Sequence, residues 1–403
     1  MSDSPDNPSA SEPDAGGSGP TQRTATIDRP EGGSAGPSRV RQLLATVTQS
    51  LTPMVLAVIA GGILLALMGR DPIEFYGTVV DRAIFSESGR QETIIRMAPL
   101  LLIAAGLIVA FRANIWNLGM DGQFLLAVAF TAGVAPMLMP TLPRWLVLTL
   151  VLMLGGIIGA AWTVIPALMK AYYGLNEIIT TLMMTFIGVN VANVLVKGPF
   201  YEEDPGRAFP ATPVIEVADR LPRLFDTSIH IGILIGLIGI LVVHYLMTRT
   251  SIGLRLNILG ASPRAAHHAG LGVAKLTLLT FLVSGFLIGL GGSVELLGVQ
   301  GYMRADWDPA LGLLVVPLVF LAKMNGWASI AFVALFAVLA NGGELATRDA
   351  GLPNDFILFI VALILIFMTV TDYLAVRRGG KGNPWIARFL ASVGLRREGR
   401  DAE

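Results

Sequence analysis

Long apolar runs separated by short polar linkers dominate the sequence from about residue 51 onward. An α-helix rises about 1.5 Å per residue, so about twenty apolar residues cross a hydrocarbon layer about 30 Å thick. The pattern predicts an all-α, polytopic membrane protein with about ten transmembrane helices. The predicted spans are Leu51–Met68, Ile94–Val109, Gly119–Met139, Trp145–Met169, Ile178–Val196, Ile229–Met247, Leu276–Val299, Leu311–Ala322, Ile330–Leu345 and Phe356–Leu374.

Two stretches differ from this pattern. The segment from Arg70 to Glu92 has scattered apolar residues and mixed charge, which favours a helix lying on the membrane surface. The run from Leu311 to Ala322 is short and contains Pro317, so it is either a short span or a broken or re-entrant helix. A total of nine spans therefore stays open beside ten.

The basic residues predict that both ends of the chain are cytoplasmic. Arg39 and Arg41 precede the first span, and the linker over residues 249–275 carries several basic residues and no acidic one. Loops rich in Lys and Arg remain on the cytoplasmic side of a membrane. Arginines also occur between Arg70 and Arg96, so the orientation depends on the later loops.

These patterns divide the chain into three parts. Residues 1–41 are rich in Ser, Pro, Gly and acidic residues, which predicts a disordered cytoplasmic tail. Residues 42–376 form the transmembrane domain, with an external loop over 197–228 and a basic cytoplasmic loop over 249–275. Residues 377–403 form a basic cytoplasmic tail.

Composition supports this class and excludes several others. Hydrophobic residues make up 53% and charged residues 14% of the chain, and the formal net charge is zero, which gives no basic surface for nucleic acid. The absence of cysteine excludes disulfides and thiolate chemistry. The chain has four histidines and no G-x-x-x-x-G-K-[ST] phosphate loop. We therefore expect no cofactor, no metal and no enzymatic activity in this chain.

Polar residues inside apolar spans identify candidate transport residues, because each is costly in lipid and must face protein or water. The first group is Asn117, Asp121 and Gln123, in a run with glycine on both sides of the acid. Such a run favours non-helical backbone that is buried in protein or lines a cavity. The alternative is a plain cytoplasmic turn, with a helix that starts at Asp121.

Two further spans carry polar groups. In the fifth span, Glu177, Thr181 and Thr185 lie on one helical stripe, directly after Asn176. Near the outer end of the seventh span lies Glu295. These side chains either line a solute pathway or hold neighbouring helices together.

The seventh span also contains two glycines four residues apart, Gly285 and Gly289. Small residues at this spacing allow two helices to approach closely. We therefore expect a tight helix contact at this position.

The basic loop contains a complete short helix signal from Ser262 to Gly270. Ser262 can cap the helix, Pro263 suits its first turn, and Gly270 can end it. A helix this short is marginal alone, which favours a cytoplasmic docking partner, and the alternative is a surface turn on lipid headgroups. His267 and His268 are adjacent and lack a third ligand, so no metal site is expected.

Three stretches together resemble the permease subunits of ATP-binding cassette (ABC) importers for simple sugars and nucleosides, which are related to ribose and branched-chain amino-acid permeases. The stretches are Phe111–Gln123 (FRANIWNLGMDGQ), Gly174–Met184 (GLNEIITTLMM) and Gly253–Gly270 (GLRLNILGASPRAAHHAG). The resemblance covers about residues 51–373. In this family the third stretch forms a coupling helix that docks on the ATPase, which assigns coupling to Ser262, Pro263, Arg264, Ala265, Ala266 and Gly270.

The resemblance implies a permease subunit in a prokaryotic cell membrane. Its partners would be an ABC ATP-binding subunit, a second permease subunit in a heterodimer or homodimer, and an extracellular solute-binding lipoprotein. The solute would be a nucleoside or a simple sugar. The runner-up is an ion-coupled secondary transporter in which Asp121, Glu177 or Glu295 carries a proton or sodium ion.

Overall fold

Helices form nearly all of the regular structure in the computed structural model, which describes residues 39–203, 206–353 and 356–377. In chain order they are α1 (Arg39–Leu67), α2 (Pro72–Val80), α3 (Glu87–Arg112), α4 (Met120–Leu138), α5 (Arg144–Trp162), α6 (Val164–Tyr173), α7 (Glu177–Lys197), α8 (Gly232–Arg249), α9 (Ser251–Ala261), α10 (Pro263–His268), α11 (Val273–Glu295), α12 (Leu311–Leu321), α13 (Gly326–Asp349) and α14 (Phe356–Arg377). Two isolated bridges are the β-type pairings found among these residues. The prediction of an all-α chain is confirmed.

The predicted tails fall mainly outside the described residues, over 1–38 and 378–403. By their contacts, residues up to Thr46 belong to a separate unit from residues 47 onward. The fold and sites below concern the second unit.

Seven helical segments are long and apolar enough to cross a membrane. They are α3, α4, α5 with α6, α7, α8, α11 with the turn that follows it, and α13. Three shorter apolar helices cover Leu51–Leu67, Leu311–Leu321 and Phe356–Thr371. The chain is therefore a polytopic membrane protein, and the crossing of the three shorter helices remains a prediction.

Some helix ends differ from the predicted spans for local reasons. Helix α3 begins at Glu87 rather than near Ile94, because the Ser86 hydroxyl accepts the Gly89 N–H at 3.0 Å and caps the helix. The predicted fourth span is divided at Thr163 into α5 and α6. Pro166 lies in the first turn of α6 and has no N–H to continue the hydrogen bonding of α5.

The predicted surface helix and the predicted incomplete span are both short. Helix α2 has nine residues and is followed by a π-helical turn, so it cannot cross a bilayer. Helix α12 has 11 residues, roughly 16 Å at 1.5 Å per residue. It follows the non-helical residues 301–310, and Ala310 at its start has a φ of 49°. This length fits both alternatives, a short span and a broken or re-entrant helix, and the crossing of α12 remains a prediction.

The helix bundle has two ends. The α10 end carries α9 and α10, and there the Arg112 guanidinium donates to the carbonyls of Met247 at 3.3 Å and Met324 at 3.1 Å. The long-loop end carries residues 198–231 and 301–306, and there Lys197 pairs with Asp306 at 3.0 Å. Cross-chain bonds thus tie distant segments together at both ends.

Helix α11 lies among α3, α4 and α5, and every residue from Ile288 to Glu295 is buried. Its glycines Gly285 and Gly289 lie directly against the backbone of Gly159 and Gly155 on α5. A methyl group at any of these four positions would collide with the facing helix. The prediction of a tight helix contact is confirmed.

Replacing Gly159 by Ala should destabilise the bundle. The added Cβ would meet the Gly285 carbonyl oxygen and would lie 2.8 Å from the Gly289 Cα. Overpacking of this kind costs about 1–3 kcal/mol, so we expect a lower melting temperature in detergent. The control is Gly77→Ala on α2, where the new methyl meets no atom within 4 Å and should be neutral or slightly stabilising. Equal melting temperatures for the two variants would contradict the close contact.

Candidate translocation and coupling sites

The backbone between α3 and α4 is non-helical and largely buried. Residues 113–119 form no helix, Asn114 has a φ of 55°, and Asn117 is fully buried. Helix α4 begins at Met120, with Asp121 in its first turn. This arrangement matches the expectation of irregular backbone enclosed by protein, rather than an exposed turn.

The amides of Asn117 and Gln123 pair with each other. Gln123 Nε2 donates to Asn117 Oδ1 at 2.8 Å, and Asn117 Nδ2 donates to Gln123 Oε1 at 3.2 Å. Asn117 Nδ2 also lies 3.0 Å from the Ser284 hydroxyl on α11. Both amides are thus engaged by protein groups, and their place on a solute pathway stays a prediction.

Two threonines on α7 hold this irregular segment. The Leu118 N–H donates to Thr181 Oγ1 at 3.1 Å, and the Thr185 hydroxyl donates to the Leu118 carbonyl at 3.0 Å. Gly122 lies against the backbone of Thr185 and of Gly188, where a side chain would not fit. The structure therefore brings the first two sequence motifs into direct contact, which the stripe pattern alone did not predict.

Asn176 and Glu177 lie where α7 begins, at the α10 end. The Asn176 side chain caps the helix by accepting the Ile178 N–H at 2.9 Å. Glu177 is buried, and its Oε2 pairs with Lys170 Nζ of α6 at 2.7 Å. These residues tie the start of α7 to α6, and no local pattern indicates that Lys170 is the partner of Glu177.

Asp121 connects α4 to the start of α12. Its Oδ1 accepts the Gly312 N–H at 2.7 Å, and the residue is 5% exposed. The first N–H groups of a helix lack partners within the helix, so a carboxylate there accepts a hydrogen bond from one of them. Its negative charge also interacts favourably with the positive end of the helix dipole. Asp121 thus anchors the short helix, which the sequence did not predict.

Glu295 faces a cavity of about 450 Å³ near the long-loop end. The cavity is also lined by Glu92 and Arg96 of α3, by Gln300 in the turn after α11, and by Glu344 of α13. Trp307 lines it as well. Arg96 pairs with Glu344 at 2.7 Å and with Glu92 at 3.3 Å. Three carboxylates and one guanidinium therefore surround one space.

Of these four charged residues, only Glu295 was predicted as a pathway residue from the sequence. Arg96 and Glu344 lie 248 positions apart, so their pairing has no local signal. Both lie within predicted apolar spans, however, and ionisable residues inside a span indicate function by default. Applying that signal to every span would have found them.

The predicted pathway residues do not form one continuous lining. Asn117 contacts α11 at Ser284, whereas Glu295 lies 11 residues further along the same helix, roughly 16 Å away at 1.5 Å per residue. The α7 residues form a third group, against the backbone of Leu118. Polar chemistry is thus distributed from the α10 end to the long-loop end.

The predicted short helix in the basic loop is confirmed as α10. Ser262 Oγ accepts the Ala265 N–H at 3.2 Å, Pro263 is the first helical residue, and Gly270 has a φ of 73°. Arg264 and Ala265 are exposed, whereas Ala266 is buried. Helix α10 therefore presents one face to solvent while the other rests on the protein.

Metal ligation has no support in the described part of the chain, where no group of three or more His, Cys, Asp or Glu residues could hold an ion. His267 and His268 are both exposed on α10.

Comparison with known families gives a match over most of the transmembrane region. The sequence profile of the family described as "Branched-chain amino acid transport system / permease component" matches residues 90–369. The matched region begins within α3 and ends within α14, and it includes both motif stretches and α10.

Several curated proteins are similar along nearly their whole length. The glucose ABC transporter permease protein of Haloferax volcanii is 28% identical, covering 89% of this chain and 93% of the relative. A nucleoside ABC transporter permease protein of Lactococcus lactis subsp. cremoris is 27% identical, covering 79% and 90%. A guanosine ABC transporter permease protein of Bacillus subtilis is 24% identical, covering 79% and 91%.

Replacing Thr181 by Val should destabilise the irregular segment. The variant keeps the shape of the side chain but leaves the half-buried Leu118 N–H without its acceptor, which costs about 0.5–1.5 kcal/mol. We expect a lower melting temperature in detergent. The matched control is Thr180→Val on the same helix, because that hydroxyl bonds only the carbonyl of Glu177 in its own helix. A Thr181 variant as stable as the control would show that the bond contributes little.

Proposed function

The chain belongs to the family of branched-chain amino acid transport system permease components, and on this basis we propose that it forms the solute pathway of an ATP-driven importer. The observation that carries the proposal is the family match over residues 90–369, together with relatives that are ABC transporter permeases along nearly their whole length. The protein is a transport component rather than a catalytic subunit.

The proposed topology has about ten membrane segments with both termini in the cytoplasm of a prokaryotic cell. The α10 end is cytoplasmic, because residues 249–275 carry basic residues and no acidic one. The long-loop end is then external. Helix α12 and the non-helical residues 301–310 together make one of the crossings.

We assign three partners to this chain. An ABC ATP-binding subunit docks on the exposed face of α10, around Arg264 and Ala265. A second permease subunit, identical or different, completes the pathway. An extracellular solute-binding lipoprotein delivers solute to the long-loop end. The supporting geometry is the capped helix α10, which is too short to be stable without neighbours and still leaves one face uncovered.

The contacts of α9 suggest how force from α10 would reach the bundle. Gly260 of α9 lies against the backbone from Arg112 to Asn114, where the irregular segment begins. That segment is held by Thr181 and Thr185 of α7. A displacement of α9 and α10 would therefore press on the irregular segment, and through it on α7.

The proposed solute is a nucleoside or a simple sugar, as the names of the glucose, nucleoside and guanosine permeases above suggest. The proposed pathway residues are Asn117, Asp121, Gln123, Asn176, Glu177, Thr181, Thr185 and Glu295. Because the three relatives named above are ABC transporter permeases, the ATP-driven mechanism is preferred to the ion-coupled one.

Replacing Arg264 by Glu should prevent the ATP-binding subunit from co-purifying. The reversed charge lies on the exposed face of α10, so the substitution should leave the bundle folded. The readout is pull-down of the ATPase by the detergent-solubilised permease, with melting temperature as the check on folding. Arg90→Glu, an exposed reversal at the long-loop end, is the control and should retain the ATPase. Full retention by both variants would remove α10 as the docking site.

Replacing Asp121 or Glu177 by Ala should abolish ATP-driven uptake into proteoliposomes. Alanine removes the acceptor for the Gly312 N–H in one case and the partner of Lys170 in the other. Asp121→Asn keeps an acceptor oxygen, so it should retain most of the uptake. Normal uptake by the alanine variants would show that both residues only hold helices together. If Asp121→Asn were as impaired as Asp121→Ala, the negative charge itself would be needed.

A further inference from the structure

The cavity beside Glu295 is lined by one chain and combines apolar walls with a cluster of charged and polar side chains. Its walls come from α3, α11, α12, α13 and α14, and its volume of about 450 Å³ lies within the range of small-molecule pockets, about 300–1,000 Å³. We propose that this cavity is a solute subsite that accepts hydrogen bonds from a neutral nucleoside or sugar and excludes its phosphorylated form. The inference rests on the proposed transport function and specifies its substrate chemistry.

Local backbone geometry places Glu295 and Gln300 together. Glu295 is the last residue of α11 and is 8% exposed, and a π-helical turn from Leu296 to Gln300 follows it. Backbone hydrogen bonds in a π-helix join residues five apart, which brings Gln300 near Glu295, and Gln300 Nε2 donates to Glu295 Oε1 at 3.2 Å. Turns of this kind occur frequently at functional sites.

The hydrogen-bonding capacity left in the cavity is mainly that of acceptors. Nε and Nη2 of Arg96 donate to Glu92 at 3.3 Å and to Glu344 at 2.7 Å, so two of the nitrogens of this guanidinium are engaged by carboxylates. Glu344 also pairs with Arg348 at 2.7 Å. Glu295, in contrast, has no ion-pair partner within 4 Å among the described residues, and each of its oxygens has two lone pairs. Hydroxyl or ring N–H groups of a solute suit such an acceptor.

The net charge of the cavity opposes anions. Three carboxylates and the Arg96 guanidinium line it, and Arg348 pairs with Glu344 from outside the lining, which leaves the carboxylate of Glu295 as the one without an ion-pair partner among the described residues. A phosphate group that entered this space would lose its hydration. It would also lie close to carboxylates of the same charge, where screening is weak. A neutral solute avoids this cost.

Trp307 supplies a flat wall and connects the cavity to the long-loop end. Its ring and Gln300 also line a neighbouring polar pocket of about 240 Å³, together with Tyr302 and Arg304. Trp307 and Gln300 therefore line both this smaller pocket and the Glu295 cavity. An indole face suits a nucleobase or the C–H face of a sugar ring, while its N–H can reach a polar group.

Because the chain has no cysteine, a single introduced thiol can report on occupancy of the cavity. Ala340→Cys places this thiol in the cavity wall, and the full-length variant in lipid nanodiscs is treated with a small methanethiosulfonate reagent. Uridine or glucose at ten times its Kd should slow labelling about tenfold, and uridine 5′-monophosphate should not. Val214→Cys, 45% exposed on the long loop, is the control and should label equally fast with every solute.

Glu295→Gln in the Ala340→Cys background tests the acceptor. The variant keeps the size of the side chain but loses its charge, so protection by uridine or glucose should weaken about tenfold. The control is Glu74→Gln in the same background, on the exposed first turn of α2, and it should leave protection unchanged. Trp307→Phe should keep most of the protection, and Trp307→Ala should lose it.

The outcomes separate this inference from the proposed function. Absence of protection by both uridine and glucose, or equal protection by the monophosphate, overturns the subsite even if the assembled complex imports solute with ATP. Protection by choline alone would show a cation site and would also overturn it. Failure of the complex to couple ATP hydrolysis to uptake, with protection intact, would instead overturn the proposed function and leave the subsite in place.

Discussion

The structure depends on one constraint, that backbone polar groups away from water need partners within the protein. Helices meet it internally, but residues 113–119 and 301–310 are not helical. The first segment is held by Thr181 and Thr185 of α7 and by the side chain of Asn117, which accepts the Gly119 N–H at 3.2 Å. The second is bonded to the long loop, where the Ala305 N–H donates to Pro210 and the Met303 N–H to the Thr212 hydroxyl. Much of the polar chemistry inside the bundle is there because these two segments interrupt the helices.

Helix α11 can contact both non-helical segments because small residues line its contacts with neighbouring helices. Gly285 and Gly289 bring α5 against it, and Ser293 reaches Thr131 of α4 at 2.8 Å. Ser284 meets the first irregular segment, and Glu295 meets the cavity beside the second. One buried helix therefore connects the α10 end of the bundle to the proposed subsite, and a larger residue at its glycines would separate the helices that enclose both.

Features with a local cause could be predicted from the sequence, and features with a distant cause could not. The apolar runs predicted the long helices, and Ser262, Pro263 and Gly270 predicted α10 because capping depends on neighbours a few positions away. The division at Thr163 and the earlier start of α3 also have local causes, which are Pro166 and Ser86. A prediction based on the length of apolar runs does not detect these causes. The pairs Arg96–Glu344, Lys170–Glu177 and Asp121–Gly312 depend on which helices become neighbours. Composition could show that such groups needed partners, but not which ones.

Polar residues in the bundle differ in how much hydrogen-bonding capacity remains available to a solute. Asn117 and Gln123 exchange both of their amide bonds with each other in a site closed to solvent, so a solute would have to break existing bonds to use them. Glu295 keeps acceptor capacity toward an enclosed space and has a neighbouring amide that holds it in place. Breaking a saturated buried network costs free energy, whereas filling an acceptor-rich cavity with donors gains it. Polar groups at two levels along α11 therefore suit different tasks: the Asn117–Gln123 pair beside Ser284 adds rigidity, and Glu295 is available for the proposed recognition of solute.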